Sequence, residues 1–298
     1  MSLLPFDDRE GRIWFDGAEC DWRDCKLHVL SHGLHYGSCV FEGERVYGGE
    51  VFALEEHTRR LLRSAEILDF NIPWSADEIN RATKGLIASM GIADGYVRPV
   101  AWRGSEMMGV SGQQNAIHLA IAAWDWPAYF TPEARLEGIR MTVSKWRRPA
   151  PDTAPTDSKA AGLYMICTLS KHAAERAGYN DALMLDWRGQ IAEATGANIF
   201  FVRDGELHTP VPDAFLDGIT RRSVIDLARR RGLTVNERVI MPDELPTFSE
   251  VFITGTAVEV TPVREIDEHR FEVGEITRNL VADFDNLVNR RDLAASAA

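Results

Sequence analysis

The spacing of hydrophobic positions changes repeatedly along this chain, and each change marks a predicted strand, helix or turn. "GRIWFDG" reads as a strand that ends in an Asp-Gly turn. In "LEEHTRRLLRSAEILDF", Leu54, Leu61, Leu62, Ala65 and Leu68 fall on one helical stripe, with Arg59 and Arg60 at its flanks. "SADEINRATKGLIASMG" opens with the spacing of a capping box, Ser75 to Glu78, and closes at Gly91. "YVRPVAW" and "AIHLAIAAW" predict buried strands, and "DWPAYFTPEARLEG" then breaks the pattern with two prolines.

Beyond that break, "IRMTVSKW" predicts a strand and "AGLYMICTLSKHAAERAG" a helix stopped by Gly178. Two hairpins follow, turning at Arg188-Gly189 and Asp204-Gly205. "GITRRSVIDLARRRG" predicts a helix between Gly218 and Gly232, and "EVFITGTAVEVTPV" a strand interrupted by a Gly-Thr turn. Strands clustered with helices in each half imply two α+β domains meeting at a cleft, the usual place for a cofactor. The expected boundaries are a small N-terminal domain over 1–125, an interdomain loop over 126–137 and a large C-terminal domain over 138–298.

Composition narrows the partners. The net charge of -12 over 298 residues argues against general nucleic-acid binding and against docking on anionic lipid, while leaving room for a small anion held by local arginines. No apolar run approaches a membrane span, and "MSLLPFDDREGR" lacks a signal-peptide pattern. Cys20, Cys25, Cys39 and Cys167 form no CxxC pair, so reduced thiols in the cytoplasm are expected.

Four places carry candidate chemistry. "LDGITRR" opens a helix at Gly218, Ile219 and Thr220, where free N–H groups and the helix dipole favour a phosphate or serve as a plain cap. Glu193 in "QIAEATGANIFF" is either an exposed edge-strand residue or a semi-buried acid in need of a cation. His28, His32 and His35 lie four and three apart, but two glycines and a strand-like alternation spoil the single helical face that zinc would want, so no metal is expected. Lys159 in "TDSKAAGLYM" sits among small residues. It reads either as a solvated lysine in the first turn of a helix or as a Schiff-base lysine with room for a bulky partner.

Nine segments in order, "IWFDG", "SHGLHYGSCVFEGER", "YVRP", "MGV", "WPAY", "APDTAPTDSKAAGLY", "AEATGANIFF", "GITR" and "GTAVEVTPV", cover nearly the whole chain. Together they resemble the fold type IV pyridoxal-phosphate enzymes, most closely the branched-chain amino acid aminotransferases. The resemblance implies the two-domain α+β fold of that group, with pyridoxal 5'-phosphate between the domains. It makes Lys159 the Schiff-base lysine, Glu193 the partner of the pyridine nitrogen and Tyr164 the neighbour of the ring's phenolic oxygen. Arg59, Gly218, Ile219, Thr220 and Thr256 match the phosphate cup, and the Thr256–Ala257 amides match the turn that receives the substrate carboxylate.

Phe41, Gly43, Arg45, Tyr96 and Arg98, with Trp126 and Tyr129, fall on pocket positions of the family. Arg98, assisted by Arg45, is the expected partner of the glutamate side-chain carboxylate, and the apolar wall suits Leu, Ile or Val. Tyr36 and the loop Met108-Gly109-Val110 match elements lent by a neighbouring subunit, which implies at least a homodimer. The implied activity is amino-group transfer between branched-chain L-amino acids and 2-oxoglutarate. Fold-mates of other specificity are the alternative: a D-amino acid or (R)-amine transaminase, or 4-amino-4-deoxychorismate lyase. A non-catalytic binding protein on the same fold is more distant. The chain departs from the usual family pattern at Ala161, Leu163, Ala194 and Ala197, and at Glu44, which stands beside Arg45 and is expected to weaken its pull on a carboxylate.

Overall fold

Alternation in the first part of the chain closes into an antiparallel sheet in the computed structural model, which describes residues 5–126 and 137–289. Tyr129 and most of the expected interdomain loop lie outside the described residues. The strands are β1 (Arg12–Phe15), β2 (Ala18–Asp21), β3 (Cys39–Phe41), β4 (Glu44–Tyr47), β5 (Glu50–Val51), β6 (Gly95–Arg103) and β7 (Ile117–Asp125). Their order is β2-β1-β7-β6-β4-β5, with β3 also paired to β6. Side chains alternate across the pleat, so one face collects Val40, Val46, Val97, Ala101, Leu119 and Ile121. Against that face pack two helices, α2 (Leu54–Ile67) and α3 (Ala76–Met90), through Leu61, Ala65, Ile79, Leu86 and Ile87. The capping box forms as its spacing predicts: Ser75 Oγ accepts from the Glu78 amide, and the Glu78 carboxylate accepts from the Ser75 amide.

The opposite face of the same sheet carries Arg45, Tyr96, Arg98, Val100 and Trp102. Arg45 lies across from Tyr96, and Phe41 across from Val100, which puts them on one side. "SHGLHYG" differs from the strand-like expectation. It forms the short helix α1 (His32–Tyr36), closed by Gly37 at φ 69°, a left-handed position that glycine takes without strain.

A second sheet takes β8 (Ile139–Arg148), β9 (Asp181–Asp186), β10 (Ile191–Ala194), β11 (Asn198–Arg203), β12 (Glu206–Thr209), β13 (Val235–Glu237), β14 (Glu250–Gly255), β15 (Glu259–Ile266) and β16 (His269–Arg270). The order is β10-β9-β8-β15-β14-β11-β12-β13, with β16 on β15. Pairing is mixed, for β8 runs parallel to both β9 and β15 while the hairpins are antiparallel. Ile139, Met141, Leu183, Ile199, Phe201, Ile253 and Val263 form its core. The helices here are α4 (Tyr164–Arg176), α5 (Ile219–Arg230) and α6 (Glu275–Val288).

The chain resolves into two compact units, Met1–Pro127 with Ser158–Leu163, and Ala128–Asp157 with Tyr164–Ala298. The short returning segment explains Lys159. Ser158 Oγ donates to the Ser64 carbonyl at 2.9 Å, the Lys159 amide donates to Ser64 Oγ at 3.0 Å, and the Phe41 amide donates to the Lys159 carbonyl at 3.2 Å. Lys159 is thus pinned to α2 and β3, and it precedes a 3-10 turn (Ala161–Leu163) instead of opening the helix. Among the described residues no helix is long and apolar enough to cross a membrane.

Leu61 is fully buried whereas its neighbour Leu62 is only partly so. Leu61→Ala is therefore expected to lower the unfolding free energy by about 2–5 kcal/mol, and Leu62→Ala by less than half as much. Urea titrations of the two variants against the parent check both values.

Candidate active site

The site in the first unit begins with an acid that has no access to water. Glu42, 0% exposed, lies at the bend between β3 and β4. Its Oε2 accepts from His57 Nδ1 at 2.7 Å, and Arg60 Nε and Nη2 bind its two oxygens at 2.7 and 2.8 Å. Burial alone would raise the carboxyl, but Arg60 and His57 override it and hold it well below the usual carboxylate range. Burial in turn lowers His57, and the positive charges of Arg60 and Lys159 push it the same way against Glu42.

Helix phase decides which arginine takes part. His57, Leu61 and Ser64 face inward on α2, and Arg60 follows them at helical spacing. Arg59 is rotated onto the exposed flank, where its Nε donates to the Glu55 carbonyl at 3.2 Å. The expectation for Arg59 is corrected accordingly: the arginine on the site's side of the helix is Arg60. The same periodicity that places Leu61 would have shown it.

Glu44 also departs from expectation. Strand alternation turns it away from Arg45 and toward Glu42 and Arg60, and it is 1% exposed. Burial, reinforced by the charge of Glu42, pushes its carboxyl well above the ordinary value. It therefore does not neutralise Arg45, which lies buried on the other face with its guanidinium 5.2 Å from the Tyr47 ring.

On that other face Phe41, Tyr96, Arg98 and Lys159 lie near one another. Lys159 Nζ lies 5.1 Å from the centroid of Phe41, and Arg98 Cζ lies 4.8 Å from the same ring. Tyr96 stacks at a tilt on Trp126 at 5.3 Å, and a Cβ at Gly43 would collide with the Tyr96 hydroxyl. Only glycine allows that approach. Farther along the same face a cavity of about 540 Å³ is walled by Val100, Trp102, Ala122, Ala161 and Gly162 among others; Arg98 reaches its lining, whereas Phe41, Tyr96 and Lys159 do not. Tyr36, Met108 and Val110 are not in this group. They stand on the surface, 46%, 48% and 87% exposed.

The second unit holds the remaining candidates. Glu193 is 9% exposed, and Arg148 Nε approaches its Oε1 at 3.4 Å. Desolvation opposes the charge on Arg148, yet Glu193, Cys167 and Tyr164 together raise its pKa. Arg148 carries no local signal in the sequence: two extra residues enter β8 between Val143 and Arg147, which draws Arg148 back along the strand to lie across from Asp186. Gly218 caps α5 without a side-chain bond, so the opening N–H groups at Ile219 and Thr220 have no partner within the helix. Asn198 Oδ1 accepts from the Gly218 amide at 3.2 Å, and Asn198 sits across from Thr254 in the sheet. This ties the helix start to the end of β14, just ahead of the turn at Thr256 and Ala257. Thr254 Oγ1 is buried there without a hydrogen-bond partner.

A half-buried lysine among small residues stands in the first unit, and a buried acid with its own cation and an uncapped helix start stand in the second. The family model for class IV amino-transferases matches residues 39–266, and the chain belongs to that family. It is 41% identical over 293 residues to a branched-chain-amino-acid aminotransferase of Pseudomonas aeruginosa, covering 96% of this chain and 95% of that one. The crystal structure of the Escherichia coli branched-chain amino acid aminotransferase superposes with a TM-score of 0.92 at 38% identity, over 97% of this chain and 98% of the other. The branched-chain aminotransferase of Thermoproteus uzoniensis, solved with norvaline, superposes at 0.91 with 35% identity, over 96% of this chain and 97% of that one. The branched-chain amino acid aminotransferase of Thermobaculum terrenum in its PLP form gives 0.87 at 31% identity, over 96% of each chain.

Glu42 and Glu44 should respond to pH with opposite signs. Glu42 has a folded pKa below its ordinary 4.5, so its stabilisation is full above that value and fades as pH falls through the depressed one. Glu42→Gln should cost about 3–5 kcal/mol at neutral pH, with the gap to the parent narrowing below about pH 4.5. Glu44 has a raised folded pKa, so its contribution is full below 4.5 and is lost as pH rises through the raised value. Glu44→Gln should thus gain on the parent as pH rises above about 4.5. Denaturant unfolding across pH measures both trends.

Proposed function

We propose that this chain moves the amino group between branched-chain L-amino acids and 2-oxoglutarate, using pyridoxal 5'-phosphate. The observation that carries the reading is the setting of Lys159. Its backbone is fixed to Ser64 and Phe41, its amine shares the Phe41 ring with Arg98, and its neighbours are Ala160, Ala161 and Gly162. The residues present fit the cofactor. Gly37 and Gly162 bring their backbones so close that a Cβ at Gly37 would sit 3.4 Å from the Gly162 Cα, and with Ala161 they line the cavity with small residues near the lysine. The uncapped start of α5 and the orphaned Thr254 hydroxyl offer donors to a phosphate. Arg60 replaces Arg59 as the arginine assigned to that phosphate, and Glu193, steadied by Arg148, is assigned to the pyridine nitrogen.

When bound, pyridoxal 5'-phosphate supplies an aldehyde for the amine and a ring that withdraws electrons from the substrate Cα. Lys159 would hold it through its amine and would then serve as the base that moves the proton at the substrate Cα. Tyr164 is assigned to the ring's phenolic oxygen, and the Thr256–Ala257 amides to the substrate α-carboxylate. The pocket asks for two side chains. Its aliphatic and aromatic wall suits Leu, Ile or Val, and Arg98 gives the side-chain carboxylate of glutamate a partner, with Arg45 nearby in the sheet.

The active form is a homodimer. Leu27, Leu30, Leu34, Tyr36, Met108 and Val110 are all exposed in the first unit, an apolar surface that a second copy of the chain would cover. On this reading Tyr36 and the Met108–Val110 loop complete the partner's pocket. The four cysteines are free, in keeping with a reducing compartment such as the cytoplasm.

Lys159→Ala should bind the cofactor without covalent attachment and lose turnover. Absorbance with and without borohydride reads the attachment, and a coupled assay reads the activity. Near-native transamination by this variant would overturn the assignment.

Arg98→Met should impair the half-reaction of glutamate more than that of leucine, because only glutamate brings a second carboxylate. One desolvated charge-assisted hydrogen bond corresponds to roughly ten- to a hundredfold in rate. Stopped-flow absorbance with each donor alone separates the two. Equal losses would mean that Arg98 serves the shared α-carboxylate. The same measurement with D-amino acids and (R)-amines distinguishes the other specificities found on this fold.

A further inference from the structure

His32 is 2% exposed, yet it touches both surface elements assigned above to the neighbouring pocket. Its ring lies 4.6 Å from the Tyr36 ring at a 35° tilt. Its Nε2 lies 2.9 Å from the Gly109 carbonyl oxygen and 3.3 Å from that of Val110. A carbonyl only accepts, so Nε2 carries the hydrogen. On the far side of the ring, Nδ1 and Ser38 Oγ are 2.9 Å apart, which fixes the ring's rotation. The His32 amide also donates to the Gly104 carbonyl at 2.8 Å, where the loop departs. The loop's return passes so close that a Cβ at Gly112 would sit 2.9 Å from Nε2.

The loop has other fastenings at its base. Asn115 Nδ2 donates to the Gly104 and Met107 carbonyls, and Arg103 Nη1 donates to the Gly112 carbonyl at 3.2 Å. These hold its ends. At its tip, Met108 and Val110 face solvent, and His32 is the donor that meets the tip's backbone carbonyls. An exposed apolar loop without that hold would lose its ordering entropy on docking, which weakens every contact it makes.

We propose that His32 is a positioning residue that sets Tyr36 and the Gly109–Val110 tip in one fixed arrangement, so that the partner subunit's substrate pocket receives both already ordered. The proposal rests on the dimer reading given above. It assigns His32 no contact with substrate. Its signature is a weakened affinity for substrate in the other subunit, with chemistry and cofactor untouched.

The experiment uses the cofactor-loaded enzyme and His32→Phe, which keeps a ring against Tyr36 and removes the donor. The KM for leucine and for 2-oxoglutarate should rise about three- to tenfold, the loss expected of one hydrogen bond, with kcat and the resting cofactor spectrum close to the parent's. His32→Gln restores an N–H where Nε2 stands and should recover part of the loss. Ser38→Ala frees the ring's far nitrogen without touching core volume and should give a smaller rise, so a poorly folded His32→Phe does not remove the test.

Mixed dimers with Lys159→Ala as the second chain decide the direction. The KM should rise when His32→Phe sits on the chain that lacks Lys159, and stay normal when it sits on the chain that keeps it. An unchanged KM in His32→Phe and Ser38→Ala, or a rise that follows the chain keeping Lys159, overturns the proposal while leaving the transaminase reading intact. A parent enzyme that transaminates as a monomer overturns the dimer reading, and the role of His32 with it.

Discussion

A carboxylate sealed from water organises the first unit. Glu42 sits where β3 bends into β4, and its two oxygens are shared among His57 and the fork of Arg60, both on α2. Removing Arg60 would leave a buried charge uncompensated, and removing His57 would strip one of its hydrogen bonds, so sheet and helix are held in one registration. Everything nearby inherits it. One turn beyond Arg60, Ser64 receives the returning segment through two hydrogen bonds, and that segment carries Lys159. A lysine distant in sequence is thereby delivered to the Phe41 ring, which Arg98 reaches as well.

The sheet of this unit separates two tasks by the period of two in its strands. One face is given to packing, with Val40, Val46, Val97 and Leu119 closed under α2 and α3. The other gathers cations and aromatic rings, with Gly43 giving way to Tyr96 and Trp126 packed beyond it, and Arg98 reaches from there to an apolar cavity. Glu44 shows how strict the division is. A single step along β4 separates it from Arg45, and that step takes it from the cavity face into the interior, where its carboxyl is held neutral to higher pH.

In the second unit irregular register has the corresponding role. The β9–β10 pairing shifts between Ile191 and Glu193, so Ile191 and Ala194 both reach the core while Glu193 turns away from it. A second shift, near the end of β8, brings Arg148 to the same carboxylate. The first shift turns Glu193 to the other face of its strand, and the second draws Arg148 back along β8 without changing its face. Together they give a buried acid a permanent cation, which a strictly alternating sheet would have left on opposite faces.

By itself the sequence determined the element types, most of the turns and the identity of the chemistry. Helical and strand periods, the Ser75 capping box, the Asp-Gly and Arg-Gly turns and the ordered motifs around Lys159 and Glu193 are all local, and local preferences act over a few residues. Phe41, Gly43, Tyr96 and Arg98 each lie in such a motif, and their contacts with one another come from strand pairing. What tertiary structure decided is direction. It chose Arg60 over Arg59 through the phase of α2, and turned Glu44 inward from its place beside Arg45. It also coiled "SHGLHYG" into a helix that buries His32 and exposes His35, where the pattern read as strand-like. Composition carries no record of a bulge, of a helix's rotation about its axis or of which buried acid meets which cation. Those follow from the packing of segments far apart in the chain, where burying one charge is favourable only if another arrives to meet it.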